Sequence, residues 1–452
     1  MQGWTKHEDA VRSLLASWQA IPDAAPVRLA KRTSNLFRPR HRTDSPGLDV
    51  SGLDGVIAID PAARTADVQG MCTYERLVDE TLVHGLIPTV VPQLRTITLG
   101  GAVTGLGIES TSLRLGLPHE AVLEMDVLTG SGELVTATPD NEHAQLFAAF
   151  PNSYGSLGYA VRLRIALEPA PRQVRLRHVR FGSGAEAAKA IAHIAEAGAW
   201  DGEPVDAVDG TAFSPDEVYL TLARFVDTDL PVSDYTGSRI YYRSIQQRSE
   251  DVLTIHDYLW RWDTDWFWCS GAFGAQDPRV RALWPRRWRR SDVYHRLVAL
   301  DARIGLSRVL DRVKGVPGRE RVIQDVEVPL DRLDQFLTWF DDKIGMRPVW
   351  LCPLRTRRAW PTYPLAPGDV YVNIGFWGTV VVPADAEPGA VNRRIEAAVH
   401  RLDGHKSLYS EAFYDRATFD QLYDTAGLDR LRERYDPQSR LSTLYDKAVR
   451  NS

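Results

Sequence analysis

Five glycines fall within twenty-one residues, TITLGGAVTGLGIESTSLRLG at 96–116, and no other stretch so narrows what the chain can fold into. Gly100, Gly101, Gly105, Gly107 and Gly116 admit positive φ and close approach of backbone to a ligand, and Thr96, Thr98, Thr104, Ser110, Thr111 and Ser112 add short donors. Bare N–H groups in succession suit a pyrophosphate. An ordinary glycine-rich surface loop has the same composition, so the stretch takes its meaning from what surrounds it.

Residues 124–139 alternate apolar and polar on both sides of Gly130-Ser131-Gly132, the pattern of a β-hairpin. Residues 141–150 are helical in pattern, with Asp140 placed to cap them, and 155–167 read as a strand entered through Gly155 and Gly158. Upstream lie two short strand patterns, a helix ended by Gly85 and the extended IPTVVPQL, which contains Gln93. Residues 31–39, KRTSNLFRP, are basic and polar, readable as phosphate contacts or as a solvated face.

This order of elements resembles the FAD-binding domain of vanillyl-alcohol-oxidase, or PCMH-type, flavoproteins. The segments GIESTSLRLGL, VPQL, VIQDVEVP, RPVWLCPL, YVNIGFWG, LYSEAFYDRATFDQLYD and YDKA resemble one branch, the delta-24 sterol reductases and their bacterial relatives, from about residue 55 to the end. The resemblance implies an α+β protein: a PCMH-type two-subdomain FAD-binding domain over 1–171, an α/β substrate cap over 172–400 and a C-terminal return over 401–452 that completes the FAD site. It departs at the N-terminus, where the sterol enzymes carry a hydrophobic anchor and this chain reads MQGWTKHEDAVRSLLASW.

On the resemblance, the cofactor contacts are Lys31, Arg32, Thr33, Ser34 and Asn35 in the first loop, then Gln93, Thr96, Thr98, Leu99, Gly100, Gly101, Gly105, Gly107, Ile108, Glu109, Ser110 and Gly116. Gly158 and Val161 join them on the last strand, where the backbone reads the adenine, and His119 is either a flavin-edge contact or a structural histidine. Flavins of this class are often tethered through histidine or cysteine, and neither occurs at 31–39 or 96–116. Non-covalent FAD is expected. NADPH as transient electron donor is inherited from the family, and the chain carries no GxGxxG fingerprint for a separate dinucleotide domain.

A length of 452 residues, with 25% charged and 44% hydrophobic, is enough for two domains with cores of their own. The net charge of −5 gives no support for nucleic-acid binding. Three scattered cysteines, Cys72, Cys269 and Cys352, argue against a disulfide framework or a cysteine metal site. With no signal peptide and no apolar run of about 18 residues, a cytoplasmic location is expected, open to peripheral contact on the inner face of the membrane. Oligomeric state is not legible.

Residues 257–290 hold six of the 13 tryptophans and end in Arg286, Arg287, Arg289 and Arg290. Tryptophan favours the water–lipid boundary and arginine binds headgroup phosphates, so Trp260 to Arg290 is a candidate membrane contact; an aromatic core is the alternative.

The family's chemistry is reduction of a carbon–carbon double bond in a lipid. An isolated alkene has no group to hold negative charge, so a proton must arrive with the hydride, from an acid in surroundings that tolerate positive charge. On strands and turns that the resemblance places at the flavin, the candidate acids and orienting groups are Gln324 and Asp325, of which alternation turns one to the flavin and one away, with Asn373, Lys406, Tyr409 and Glu411. Glu411 is the preferred acid and Tyr409 its relay, against the alternative of a surface carboxylate. The substrates in view are a methylene-branched fatty acyl chain or a sterol or isoprenoid side chain. An FAD-dependent oxidase or dehydrogenase of an alcohol or sugar, and a non-catalytic flavin- or lipid-binding protein, are the rival readings.

Overall fold

Alternation of buried and exposed residues sorts the strands into two large antiparallel sheets, seen in a computed structural model that describes residues 2–23, 25–31, 37, 47–304 and 315–449. In the first sheet the strands run Val56–Asp60, Thr65–Gln69, Tyr159–Pro169, Val122–Leu128, Leu134–Ala137, with Leu86–Pro88 also on Tyr159–Pro169. Arg162 on the shared strand pairs with Asp67, Glu124 and Asp126 from its neighbours on either side, which fixes the register by charge as well as by backbone bonds. The helix Tyr74–Leu82 buries Tyr74, Leu77, Val78 and Thr81, one face at helical spacing, and the Thr73 hydroxyl accepts the Arg76 N–H at its start.

The expected hairpin is present, with Leu128 opposite Leu134. Asp140 does not cap the following helix, which is Ala144–Ala149 with His143 at its start. Asn141 closes that turn instead, its Oδ1 accepting the His143 N–H at 2.9 Å. The glycine-rich stretch also differs from a loop. Leu99–Gly105 is a short helix whose Thr98 Oγ1 accepts the Gly101 N–H, and of the five glycines only Gly116 has positive φ, at 77°.

The second sheet has eight strands in the order Glu250–Thr254, Gln173–Phe181, Glu217–Val226, Ala207–Ser214, Val349–Leu354, Tyr371–Val381, Arg319–Pro329, His405–Lys406. Helices Gly184–Ala197, Leu333–Lys343 and Ala390–Arg401 cover one face through Ile191, Phe336, Phe340 and Ile395. From the other face Trp350 and Cys352 join one continuous core with Val68 and Leu163 of the first sheet and Phe147 of the helix beside it.

After the last sheet strand the chain returns to the first domain. Arg432 donates to the carbonyls of Ser156 and Leu441, the Ser131 N–H bonds the Tyr435 carbonyl, and the Val27 N–H bonds the Arg440 carbonyl. The first and last described segments are thereby held side by side.

Candidate active site

A cavity of about 640 Å³ lies between the two sheets. One stretch of its wall is glycine backbone and cations: Gly100, Gly101, Gly105, Gly107, Gly158, Arg28, Lys31 and Lys447. Another is rings around one acid: Phe37, Trp266, Phe267, Trp350, Trp377 and Tyr409 about Asp325 and Asn373. Segments from all three parts of the chain therefore meet here.

The glycine wall suits a large flat cofactor bearing phosphates. A Cβ on Gly101 would meet only Thr98 Oγ1 within 4 Å, so the space before it belongs to the cavity. Gly100 is glycine for a different reason, since its Cβ would stand 2.7 Å from the Gly70 carbonyl oxygen. Lys31 Nζ donates to Thr98 Oγ1 at 3.4 Å and Lys447 Nζ to the carbonyls of Tyr154 and Gly155, which brings positive charge beside the helix start. Asn373 Oδ1 is buried without a hydrogen-bond partner among the described residues, an acceptor waiting for a donor. These groups fit FAD.

Of the expected cofactor contacts, Lys31, Gln93, Thr98, Gly100, Gly101, Gly105, Gly107, Ile108 and Gly158 line the cavity. Arg32, Thr33, Ser34 and Asn35 lie outside the described residues. The others stand off the wall. Leu99 is core, and the Val161 carbonyl accepts the Gly70 N–H. Thr96 is also absent from the lining. Gly116 is pressed against Glu120. His119 is buried edge-on to Trp360, with burial lowering it to about 3, so it stays neutral. Ser110 shares a 2.7 Å hydrogen bond with the Tyr258 hydroxyl.

Glu109 belongs to a separate buried cluster. Arg261 Nη2 donates to Glu109 Oε1 at 2.9 Å and to Asp209 Oδ2 at 3.0 Å, and the indole N–H groups of Trp262 and Trp350 donate to the same Asp209 oxygen. Burial pushes the Glu109 carboxyl up while the Arg261 charge holds it down. The cluster ties the glycine-rich stretch to the eight-stranded sheet.

Strand alternation divides the candidate acids. Asp325 faces the cavity, whereas Gln324 points away and donates to Asn392 Oδ1 at 2.6 Å. Asn373 Nδ2 donates to Asp325 Oδ1 at 3.0 Å, the Tyr409 hydroxyl also donates to Asp325, and Trp377 Nε1 donates to the Tyr409 oxygen at 2.8 Å. All these donors are neutral. Burial pushes the Asp325 carboxyl up to about 6, with the two hydrogen bonds opposing it. Burial next to Asp325 raises the Tyr409 hydroxyl, which keeps its proton.

Glu411 and Lys406 are not brought to this wall. Lys406 Nζ donates to Glu396 Oε1 at 2.6 Å and to the Glu411 carbonyl, while a Glu411 carboxylate oxygen lies 3.5 Å from Arg321. Arg321 is four residues along the strand from Asp325, a separation of about 13 Å. A second acid on the Asp325 face, Glu327, went unnoticed in the sequence. Its Oε1 accepts from Ser407 Oγ at 2.8 Å, and burial raises the carboxyl to about 8.

The rings were missed as cavity wall because residues 257–290 resemble a lipid-facing patch in composition. Trp260, Trp262 and Trp266 are instead buried. Arg281 is clamped on Asp265, Arg289 donates to backbone carbonyls including that of Trp284, and Arg290 pairs with Glu75. Trp288, at 48% exposed, and Leu283, at 87%, face solvent. Trp266 and Phe267 adopt left-handed φ of 45° and 58°, a costly conformation for bulky residues that occurs here on the cavity wall.

Fold and cavity together define a class, the flavoproteins with a PCMH-type FAD-binding domain, and residues 6–138 match the family model described as FAD binding domain. Over most of its length the chain is similar to the Delta(24)-sterol reductases. It is 23% identical over 441 residues to the Delta(24)-sterol reductase homolog of Caenorhabditis elegans, covering 93% of this chain and 82% of that protein. It is 25% identical to the Delta(24)-sterol reductase of Homo sapiens, covering 87% and 76%. Cytokinin dehydrogenase 6 of Oryza sativa subsp. japonica is 40% identical over 114 residues, 25% of this chain and 21% of its own length. No described helix is long and apolar enough to cross a membrane.

Proposed function

We propose that this protein is an FAD-dependent reductase that saturates an isolated, branched carbon–carbon double bond in a lipid, a methylene-branched fatty acyl chain or a sterol or isoprenoid side chain, with NADPH as electron donor. The observation that carries the reading is a half-buried acid, Asp325, held by neutral donors in a cavity walled by rings. Homology to Delta(24)-sterol reductases supports reduction of a double bond. FAD, when bound and reduced, supplies hydride.

The chain's own residues supply the rest. Asp325 gives its proton to one alkene carbon as hydride reaches the other, and takes a replacement from water after turnover. A carboxyl near 6 can both hold and release a proton close to neutrality. Asn373 and Tyr409 fix its orientation, and the faces of Trp266, Phe267, Trp350 and Trp377 receive the partial positive charge on the substituted carbon while excluding water. Glu411, paired with Arg321 off the cavity wall, takes no part in this scheme.

Peripheral membrane contact, in this reading, falls on exposed Leu283 and Trp288 with Arg286 and Arg287 beside them. Leu283→Ser with Trp288→Ala should reduce sedimentation with anionic vesicles and leave the flavin spectrum unchanged. The central experiment is anaerobic: flavin reduction by NADPH or NADH, then reoxidation by each candidate lipid with the product identified by mass. Reoxidation by an alcohol-derived carbonyl, with no lipid effective, would replace the reductase reading by the dehydrogenase one.

A further inference from the structure

A second cavity, of about 410 Å³, lies away from the first, at the end of strand Val349–Leu354, and it is lined by Arg114, Arg355, Thr356, Arg357 and Gly368. Three guanidiniums on so small a wall repel one another unless anions stand between them. Glu168 supplies one, accepting from Arg114 Nη2 at 3.1 Å. Glu120, the other nearby carboxylate, accepts from the N–H groups of Leu117, Arg357 and the Trp360 indole.

Among the described residues, no carboxylate pairs with the guanidinium of Arg355 or Arg357. Arg355 Nη1 reaches only the Ala195 carbonyl, at 3.5 Å, beyond an ordinary hydrogen bond. The Arg357 guanidinium makes no hydrogen bond or ion pair among the described residues, although the residue's backbone N–H is held by Glu120 Oε1 at 2.8 Å. Thr356, between them, is 1% exposed, and its hydroxyl has no partner among the described residues. The Thr356 carbonyl is held by the Gly368 N–H at 3.0 Å, and Gly368 has φ of 84°, so the floor of the pocket is set by backbone.

We infer that this pocket is a second ligand site, one that takes a phosphate monoester between the forks of Arg355 and Arg357. A tetrahedral dianion matches two planar five-donor groups and a hydroxyl far better than a single carboxylate does. Arg355 follows Trp350 of the first cavity by five residues of extended chain, about 16 Å. The shared chemistry has two natural sources, the 2′-phosphate of a nicotinamide dinucleotide phosphate and the headgroup of phosphatidic acid. The site stands independently of the reductase reading.

Calorimetry on the flavin-loaded full chain tests it with three probes: inorganic phosphate, 2′,5′-ADP, and vesicles of phosphatidylcholine with or without phosphatidic acid. Phosphate should bind, and Arg355→Gln with Arg357→Gln should weaken it at least 10-fold with the flavin spectrum and melting curve unchanged. Arg357→Gln alone serves if the double variant fails to fold, because the side chain is exposed. Tighter binding of 2′,5′-ADP than of phosphate assigns the nucleotide source, and selective binding of the acidic vesicles assigns the lipid. Arg358→Gln, a neighbour whose guanidinium lies over Trp360, should change nothing. An equal loss in Arg358→Gln, or no binding of any probe, overturns the inference.

Discussion

Asp325, half-buried at the cavity, and the fully buried Glu109–Asp209 pair both lie against tryptophans, yet their surroundings prepare them for opposite fates. Arg261 stands between Glu109 and Asp209 and neutralises charge where it is buried. Asp325 has only an amide and a phenol. A charged partner opposes the cost of burying a carboxylate, whereas neutral donors oppose it more weakly. The same fold thus builds a structural carboxylate and a chemical one, and the difference is a single guanidinium.

The largest expected effect tests the chemical half of that contrast. Asp325→Asn should keep its FAD and accept electrons, then lose reoxidation by lipid about 10²–10⁴-fold, the usual range for a positioned acid. Stopped-flow absorbance reads the two half-reactions separately, and an unaltered oxidative half-reaction would remove Asp325 from its role. In wild type that half-reaction should slow as pH rises above about 6, because the proton to be donated is then lost.

Breaking the structural half should cost stability instead. Arg261→Met leaves two buried carboxyls without their cation, a change expected to destabilise by about 3–5 kcal/mol in urea unfolding. Activity per folded molecule should persist. A variant that folded normally but failed only in catalysis would erase the distinction.

Glu327 sharpens the comparison through pH. Its folded carboxyl is raised to about 8 from 4.5, so the folded chain holds a proton that the unfolded chain releases between these values. The stability it contributes is complete below 4.5 and lost as pH rises through about 8, with a slope of about 1.4 kcal/mol per pH unit between. Glu327→Gln should flatten that part of the unfolding profile. The smallest effect belongs to Glu411→Gln: its partner Arg321 is 49% exposed, so the pair contributes about 0–1 kcal/mol, and both half-reactions should be unchanged.

Several of these features were legible in the sequence. Period-two alternation separated Asp325 from Gln324, and the turn glycines located the hairpin at 128–134. Helix Leu99–Gly105 was not legible, because glycine is a poor helix former and the helix depends on the Thr98 cap and on packing against Gly70. Glu411 and Tyr409 share an alternation pattern, but the segment after Lys406 leaves the sheet, so parity no longer predicts direction. The tryptophans of 257–290 carried a lipid-like composition, and only tertiary partners distant in sequence, Asp209 for Trp262 and Gly237 for Arg281, reveal Trp260, Trp262 and Trp266 as interior.

The return of the chain to the first domain has a consequence for the order of manufacture. A ribosome releases the glycine-bearing helix roughly 300 residues before Ser407, Tyr409, Ser442 and Lys447, which also form the cavity wall. At about 5–20 residues per second the interval between them is tens of seconds. Throughout that time the nascent protein has a cofactor cradle with one side missing. Flavin capture therefore waits for residues 407–447, and a stop codon shortly before residue 405 should yield a colourless product even though the whole stretch matched to an FAD-binding domain is intact.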